Sequence, residues 1–459
     1  MLTRVEITGL RGFASKQTLT IAVPNGQRGS GLTVIVGANN AGKSTVIEAL
    51  RAIAQREAPS FTQGRRNQKA GDQVIIHAVD SQDNKATELK SIRSGSSETE
   101  YVKQGGGIDV SSLLILPSRR VFSPYFGRSV SDRLNYMTQI GFPPIRTTSI
   151  DQFSYRLFTI EKNRADFDAV LKRVLDPVPD WSIDQVDSGQ YFLKIKKRDT
   201  THSSEGLGEG LVSLLYIIDA LYDSKEGDTV GVDEPELSLH PQLQRKLSDL
   251  LIEYAATRQI VLSTHSPYFI GLAALPNGAT VARVHVSDEQ SKISQLSSAT
   301  AKAIFGLMKN ENNPHIFGLL GTEIFFTDDR VILAEGQEDV VFFKRVEQSV
   351  GQLQGNFFGW GVGGAENMKH VATILKELGF EKVVGILDAN RAELAKGLSE
   401  TFPAYHFFSI PTNDVRTKNP VPEKPAIAGL LDDGNKAVRP EYVERTKVLF
   451  AEANKYLLC

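Results

Sequence analysis

The chain has 459 residues, enough for about three domain-sized units, and its 41% hydrophobic and 23% charged content is ordinary for a soluble globular protein. A formal net charge of −2 excludes a chain carried onto nucleic acid by its overall charge, so any such surface must be a local patch. One cysteine, Cys459, rules out a disulfide framework within the chain; with no signal-like opening and no run near the ~18 apolar residues of a membrane span, the expectation is a soluble, cytoplasmic protein without a membrane partner.

Residues 2–8 alternate apolar and polar (Leu2, Val5, Ile7), as do 18–23, which predicts an opening pair of strands. Leu32-Thr33-Val34-Ile35-Val36 is a short β-branched run suited to a buried central strand. It passes through a glycine-rich turn into Lys43–Ala54, where Val46, Ile47, Leu50 and Ile53 recur at helical spacing. Residues 61–72 and 94–107, rich in Gly, Ser, Gln and Arg, read as exposed loops. The stretch from about 125 to 180 carries helical patterning, notably over Asp151–Val174, and reads as a helical arm or dimerisation insert. Strand–helix alternation resumes at 191 and runs to about 286, and 287–325 reads as a mixed helical connector. A fresh series opens at Val331-Ile332-Leu333, and 411–440, with five prolines, reads as a long surface loop. Alternation in both halves predicts two α/β domains, 1–325 and 326–459.

Gly37-Ala38-Asn39-Asn40-Ala41-Gly42-Lys43-Ser44 fits G-x-x-x-x-G-K-S. Glycines at those positions let backbone N–H groups fold around phosphates, Lys43 reaches the β and γ oxygens, and Ser44 offers a hydroxyl to Mg²⁺. Asn39, Asn40, Gly42 and Thr45 complete the set facing the nucleotide. The motif arises by chance in other settings, but here it follows a buried strand and opens a helix. A second apolar strand, Thr229-Val230-Gly231-Val232, ends in Asp233-Glu234-Pro235-Glu236. Asp233 at the tip is placed to hold Mg²⁺ opposite Ser44, and Glu234 to act as general base on the attacking water. A third, Ile260-Val261-Leu262-Ser263, leads to Thr264-His265-Ser266. A lone histidine is usually a packed residue; after these motifs His265 reads as a γ-phosphate contact.

With those residues in hand, roughly 1–290 resembles the ABC ATPases of the chromosome-maintenance and recombination-repair type. Val5-Glu6-Ile7-Thr8-Gly9-Leu10-Arg11-Gly12-Phe13 is similar to the family's opening strand and turn, and Leu116-Pro117-Ser118-Arg119-Arg120 to its Pro-x-Arg segment. The counterpart of the signature loop is Leu207-Gly208-Glu209-Gly210, which lacks the usual Ser-Gly-Gly-Gln; Ser203-Ser204-Glu205-Gly206 is a rival alignment. The resemblance implies that Gly208 and Gly210 touch an ATP held by another protomer, hence a homodimer or higher homo-oligomer.

In the second half, Val331-Ile332-Leu333 leads to Glu335-Gly336, with Asp339 four residues past Glu335, and Val383-Val384-Gly385-Ile386-Leu387 ends in Asp388-Ala389-Asn390. Acids at the C-terminal ends of parallel strands can converge on one or two Mg²⁺ ions, which activate water against a phosphodiester. The plainer reading is a set of helix-capping acids. The order resembles a Toprim domain, matched by Glu335-Gly336 and Asp388, with Asn390 where that pattern has a second aspartate. An ABC-type ATPase followed by a Toprim-like α/β domain resembles the OLD family of ATP-dependent nucleases, over nearly the whole chain apart from the 125–180 insert and the final loop. The resemblance implies ATP and Mg²⁺ as cofactors (Mn²⁺ an alternative at the second site), DNA as substrate, a role in phage defence with a partner protein or nucleoprotein, and a late basic residue for which Lys418 and Lys424 are candidates. Arg65-Arg66 and Arg119-Arg120 are candidate DNA contacts, though such arginines more often form solvated surface. A rival is a non-nucleolytic sensor or scaffold with a degenerate second domain controlling a separate effector, favoured by Asn390. A recombination-type clamp is weaker, since no heptads run far enough for a long coiled coil.

Overall fold

The computed structural model describes residues 1–80, 84–129, 136, 152–197, 200–307, 325–327, 329–418, 420 and 426–459, so Lys424 and part of the 125–180 insert lie outside the described residues. Two compact units emerge, Met1–Ser298 and Ala299–Cys459.

The strands of the first unit, in chain order, are β1 (Arg4–Thr8), β2 (Gln17–Thr20), β3 (Leu32–Val36), β4 (Ile75–Asp80), β5 (Lys85–Ser91), β6 (Thr99–Gln104) and β7 (Leu113–Leu116), then β8 (Asp180–Gln185), β9 (Tyr191–Lys197), β10 (Thr200–Ser203), β11 (Thr229–Asp233), β12 (Gln259–Ser263), β13 (Thr280–Ser287) and β14 (Gln290–Gln295). The central sheet runs β14-β13-β3-β12-β11-β7, parallel throughout except for β14. Every residue of β3, β11 and β12 is buried, which is why their sequences are nearly continuous apolar runs rather than alternating ones. An antiparallel sheet, β2-β1-β4-β5-β6, shares a core with it, and the helix Lys43–Ile53 touches strands of both. Its face carrying Val46, Ile47, Leu50 and Ile53 supplies that core, as the helical spacing predicted.

A loop expectation and part of the helical-connector expectation give way to strands. Within 94–107, Thr99–Gln104 forms the outer strand β6: Tyr101 packs against the core and donates its hydroxyl to Ala52 O at 2.5 Å, so one anchored aromatic outweighs the polar composition. Within 287–325, Gln290–Gln295 pairs with β13 as β14, turning Ser291 inward, where its hydroxyl reaches Ala41 O at 2.7 Å. The helix Ser298–Leu307 follows.

The described part of the insert packs down on the unit. Its helix Gln152–Lys162 lies against the helix Glu209–Asp223: Phe153 stacks on Tyr216 at 3.8 Å between ring centroids, and buried Arg156 donates to Asp219 at 2.9 Å and pairs with Asp223 at 3.3 Å. Because the Asp219 and Arg156 side chains are both buried, losing either one would leave the other's buried charge less well compensated.

In the second unit, β15 (Arg330–Ala334), β16 (Asn356–Phe357), β17 (Lys382–Leu387) and β18 (His406–Ser409) form a parallel sheet in the order β16-β15-β17-β18. Gly385 must be glycine, since a Cβ there would stand 2.3 Å from the Phe407 ring. β15 and β17 are neighbours, so Glu335 and Asp388 emerge side by side where the chain order reverses, the usual crevice of an open parallel sheet. The 411–440 stretch is not a surface loop throughout: Val415, Leu430 and Leu431 are buried in the core, and Thr412 and Asp414 are buried beside it. Its apolar residues follow neither helical nor strand period, so their burial left no pattern to read.

Candidate functional site

The first unit places its motif residues at the C-terminal ends of β3, β11 and β12. Gly37 has φ +144, and a Cβ there would lie 2.0 Å from Val284 O; Gly42 has φ +117 and precedes the helix Lys43–Ile53. Asn40 adopts φ +61, and Asn39 and Asn40 are exposed, while Thr45 is buried under the loop. Lys43 is buried, its ammonium donating to Gly37 O at 3.0 Å and Ala38 O at 2.9 Å. Burial holds the Lys43 ammonium below its ordinary value, against the opposing pull of Glu234, Asp233 and Glu236.

Ser44 donates its hydroxyl to Asp233 Oδ1 at 3.3 Å, joining the two proposed cation-facing groups across the parallel strands. Asp233 is raised above the usual carboxylate range by burial and by Glu234 beside it, an effect opposed by the Ser44 hydroxyl and Arg120. Glu234 sits at φ +50, its N–H bonded to Ser263 O at 2.8 Å, and its Oε1 stands 4.0 Å from His265 Nε2. Burial, with Lys43 nearby, lowers the His265 imidazole, so it is neutral at physiological pH and able to donate or accept one hydrogen bond. The structure thus brings Lys43, Ser44, Asp233, Glu234 and His265 to one place.

Two residues that the sequence motifs contain, but to which no role at this site was given, belong to it. Glu236 accepts the His265 N–H at 2.6 Å and the Thr264 hydroxyl at 2.8 Å, so it holds the His265 turn. Arg120 is fully buried beneath the same turn, and not a DNA contact; it reaches the carbonyls of Asp233 at 2.7 Å and Glu234 at 2.8 Å. Its neighbour Arg119 is the exposed one. Arg65 pairs with Glu48 at 3.6 Å, and two nitrogens of Arg66 are buried, so neither is a free surface cation. Gly208 caps the N-terminus of the helix Glu209–Asp223 and Gly210 lies in its first turn, whereas Ser203–Gly206 runs from the end of β10 through a single 3₁₀ turn. A 15-residue helix with a glycine-rich start presents free N–H groups to an anion, which the rival segment does not.

The second unit holds a pocket of about 360 Å³ lined by Glu335, Glu338, Asp339, Asp388, Asp414 and Lys418, with Gly336, Gly363 and Gly364 forming backbone walls. Glu335 Oε1 accepts the Asp388 N–H at 3.0 Å, and Asp339 Oδ2 accepts the Gly336 N–H at 2.8 Å. Asp388 is pushed up to about 8 by burial first and then by Glu335, Asp339 and Asp414. Asp339 is pushed up to about 6 for the same reason. Lys418 contacts the Asp414 carboxylate and is the lysine lining the pocket. Asp414 is the acid that sequence reasoning missed, because it lies in the supposed surface loop. Asn390 is exposed on the turn after Asp388 and does not line the pocket. Among the described residues no three His, Cys, Asp or Glu side chains stand close enough to enclose a metal as they are oriented here. The donor set nevertheless fits a hard divalent cation: of five carboxylates Glu338 pairs with Arg416, while the other four converge with one lysine, and their mutual repulsion is what such an ion neutralises.

Residues 4–165 match the family described as "AAA domain", and residues 110–271 the one described as "AAA domain, putative AbiEii toxin, Type IV TA system". The chain is 30% identical to Endonuclease GajA of Bacillus cereus over 33% of its length and 25% of that protein. It is 36% identical to the OLD nuclease of Thermus scotoductus over 17% of its length and 16% of that protein. The matched stretches therefore span a quarter or less of these relatives. A solved head domain of an SMC protein, bound to the C-terminal winged helix of ScpA, aligns at a TM-score of 0.44 with 14% identity over 66% of this chain and 99% of that one. The OLD-type resemblance carried by the motifs is shared with relatives of those names, and the first unit is an ABC-type α/β ATPase fold.

Proposed function

We propose that this OLD-type ATPase is an ATP-gated, divalent-metal-dependent DNA endonuclease, acting in the cytoplasm as a homodimer or larger homo-oligomer. The observation that carries the reading is the second pocket: Glu335 and Asp388 at the C-terminal ends of adjacent parallel strands, joined there by Asp339 and Asp414, in a chain that also holds a phosphate cradle. Relatives named as nucleases support it.

In the first site, Lys43 would exchange its loop carbonyls for the β and γ oxygens of ATP, and Ser44 and Asp233 are the residues that would hold Mg²⁺. Glu234 takes the proton of the attacking water, and neutral His265 hydrogen-bonds a γ-phosphate oxygen. Gly208 and Gly210 face the nucleotide of a second copy, which is why the sites need a partner protomer.

In the second, Toprim-like site, spanning with its domain about 326–459, Glu335, Asp339 and Asp388 are the residues that would hold Mg²⁺ or Mn²⁺. Such an ion lowers the pKa of water and offsets charge on the scissile phosphate. Lys418 supplies the remaining positive charge at the pocket wall. A role in phage defence with a further partner is proposed on the OLD-type resemblance alone.

The test is cleavage of supercoiled plasmid by the full chain with Mg²⁺ or Mn²⁺, with and without ATP, beside Asp388→Ala and Glu234→Gln. Cleavage by the wild type that Asp388→Ala abolishes supports the reading; cleavage unchanged in that variant removes the site assignment. The second reading, a non-nucleolytic sensor or scaffold, is favoured by one observation, the exposed Asn390 standing outside the pocket. It is supported by ATP hydrolysis without cleavage and by stable co-purification with an effector.

A further inference from the structure

We propose that Arg120 is a positioning residue for ATP turnover, which ties the orientation of Glu234 to the helix Glu209–Asp223; the inference rests on the ATP-hydrolysing part of the reading above. Arg120 follows β7 and is 2% exposed. Its Nη1 donates to Pro117 O at 2.6 Å and Asp233 O at 2.7 Å, its Nη2 to Glu234 O at 2.8 Å, and its Nε to the Ser213 hydroxyl at 2.8 Å. The two acceptors on the catalytic turn are the carbonyls of the peptide groups on either side of the Glu234 Cα. Gripping both peptide planes sets the backbone angles of Glu234, and therefore the direction in which its carboxylate leaves the chain. Glu234 sits at φ +50, a region costly for a side-chain-bearing residue, so it persists only where neighbours over-determine it. Arg120 and the Glu234 N–H bond to Ser263 O together provide that determination.

The remaining arm of the guanidinium reaches out of this turn. Ser213 lies one turn into the helix whose start carries Gly208 and Gly210. A second tie joins the same two segments: the Ser238 hydroxyl donates to Glu209 Oε2 at 3.1 Å. A Cβ on Gly210 would lie 2.2 Å from Ser238 O, so the helix start is pressed directly onto the segment following Glu234. A shift of that helix, of the kind expected when its N-terminus engages a nucleotide, passes through the rigid guanidinium to the base. Only arginine can do this. Its planar fork fixes several donors in one frame, whereas a lysine ammonium is a single pivot.

The experiment measures ATP turnover and nucleotide affinity separately on the full chain, using calorimetry with a non-hydrolysable ATP analogue and Mg²⁺ for the affinity. The variants are Arg120→Lys, Ser213→Ala and their combination, with melting temperature followed throughout. Arg120→Lys is expected to lower kcat about 100-fold, in line with the effect of sub-ångström to ångström misplacement of a reacting group, and Ser213→Ala roughly 3- to 10-fold. Nucleotide Kd should stay within about twofold in both, since Arg120 is placed on the base and not on the nucleotide cradle. The double variant should be no slower than Arg120→Lys alone, because the serine acts through the arginine. Wild-type kcat in both single variants, losses confined to Kd, or losses that multiply in the double variant each overturn the proposal. Should Arg120→Lys fail to fold, Ser213→Ala decides by itself: a loss in kcat at unchanged Kd upholds the tether, and an unchanged kcat removes it. Wild-type protein that binds the analogue but hydrolyses no ATP defeats the underlying ATPase reading, and the inference with it, before any variant is compared.

Discussion

The two units place acids at the C-terminal ends of parallel strands in the same way, yet they treat those acids differently. Around Asp233 the donors are already in place: Ser44 donates to it, Lys43 lies close, and Arg120 holds its carbonyl. Around Asp388 three further carboxylates face one lysine, and Asp388 is pushed up to about 8. The first arrangement is preorganised by the protein alone, with its cations and hydroxyls already in place, as transition-state stabilisation requires. The second is electrostatically incomplete, and a bound cation is the natural completion. Substitutions should therefore separate the two sites cleanly, one in turnover and the other in response to metal.

The largest effect falls on Lys43→Ala, which removes the ammonium that reaches the phosphates. ATP binding measured by calorimetry should drop by at least about 100-fold, and turnover should vanish with it. Retained affinity would detach the cradle from the nucleotide. Glu234→Gln comes next: an isosteric amide keeps the turn but cannot take a proton, so kcat should fall roughly 10²- to 10⁴-fold at near-constant Kd. Neither variant should alter how the second unit responds to Mg²⁺.

The comparison sharpens further in thermal melts. A folded-state value of about 8 for Asp388 lies above the ~3.9 of an unfolded aspartate, so the folded chain holds that proton more tightly. Its contribution to stability is present below the unfolded value and is lost as pH rises through about 8. Metal-free protein should therefore lose a few degrees of melting temperature between pH 6 and pH 9, and Asp388→Asn should flatten that loss. Saturating Mg²⁺ should restore the wild type, by ~2.7 kcal/mol at 100 times its Kd, but not the variant. A melting profile indifferent to Mg²⁺ in the wild type would break the comparison. The smallest effect is expected from Arg119→Ala. Exposed beside buried Arg120, it should leave ATP turnover within about twofold, as surface substitutions away from special features usually do.

Much of this was legible in the sequence because it was written in short range. β3, β11 and β12 announced themselves as apolar runs, and the cradle and strand-tip acids stand at fixed offsets from them. Glu335, Asp339 and Asp388 were likewise each visible at the end of a strand or the start of a helix. What escaped was long-range. Arg120 stood in a noticed segment, but a basic pair gives no sign of which member turns inward; only the 113-residue contact to Asp233 does. Asp414 sat in a proline-rich stretch whose buried residues, Val415, Leu430 and Leu431, follow no period. Edge strands β6 and β14 were hidden by polar composition, since an outer strand needs only one anchored face.

The most direct test of the account measures plasmid cleavage and ATP hydrolysis together, in wild type and Asp388→Asn, with Mg²⁺ and ATP present. The account predicts that the variant hydrolyses ATP at the wild-type rate and leaves the plasmid intact. Cleavage by the variant at the wild-type rate would contradict it, because the acidic pocket would then have no part in cutting.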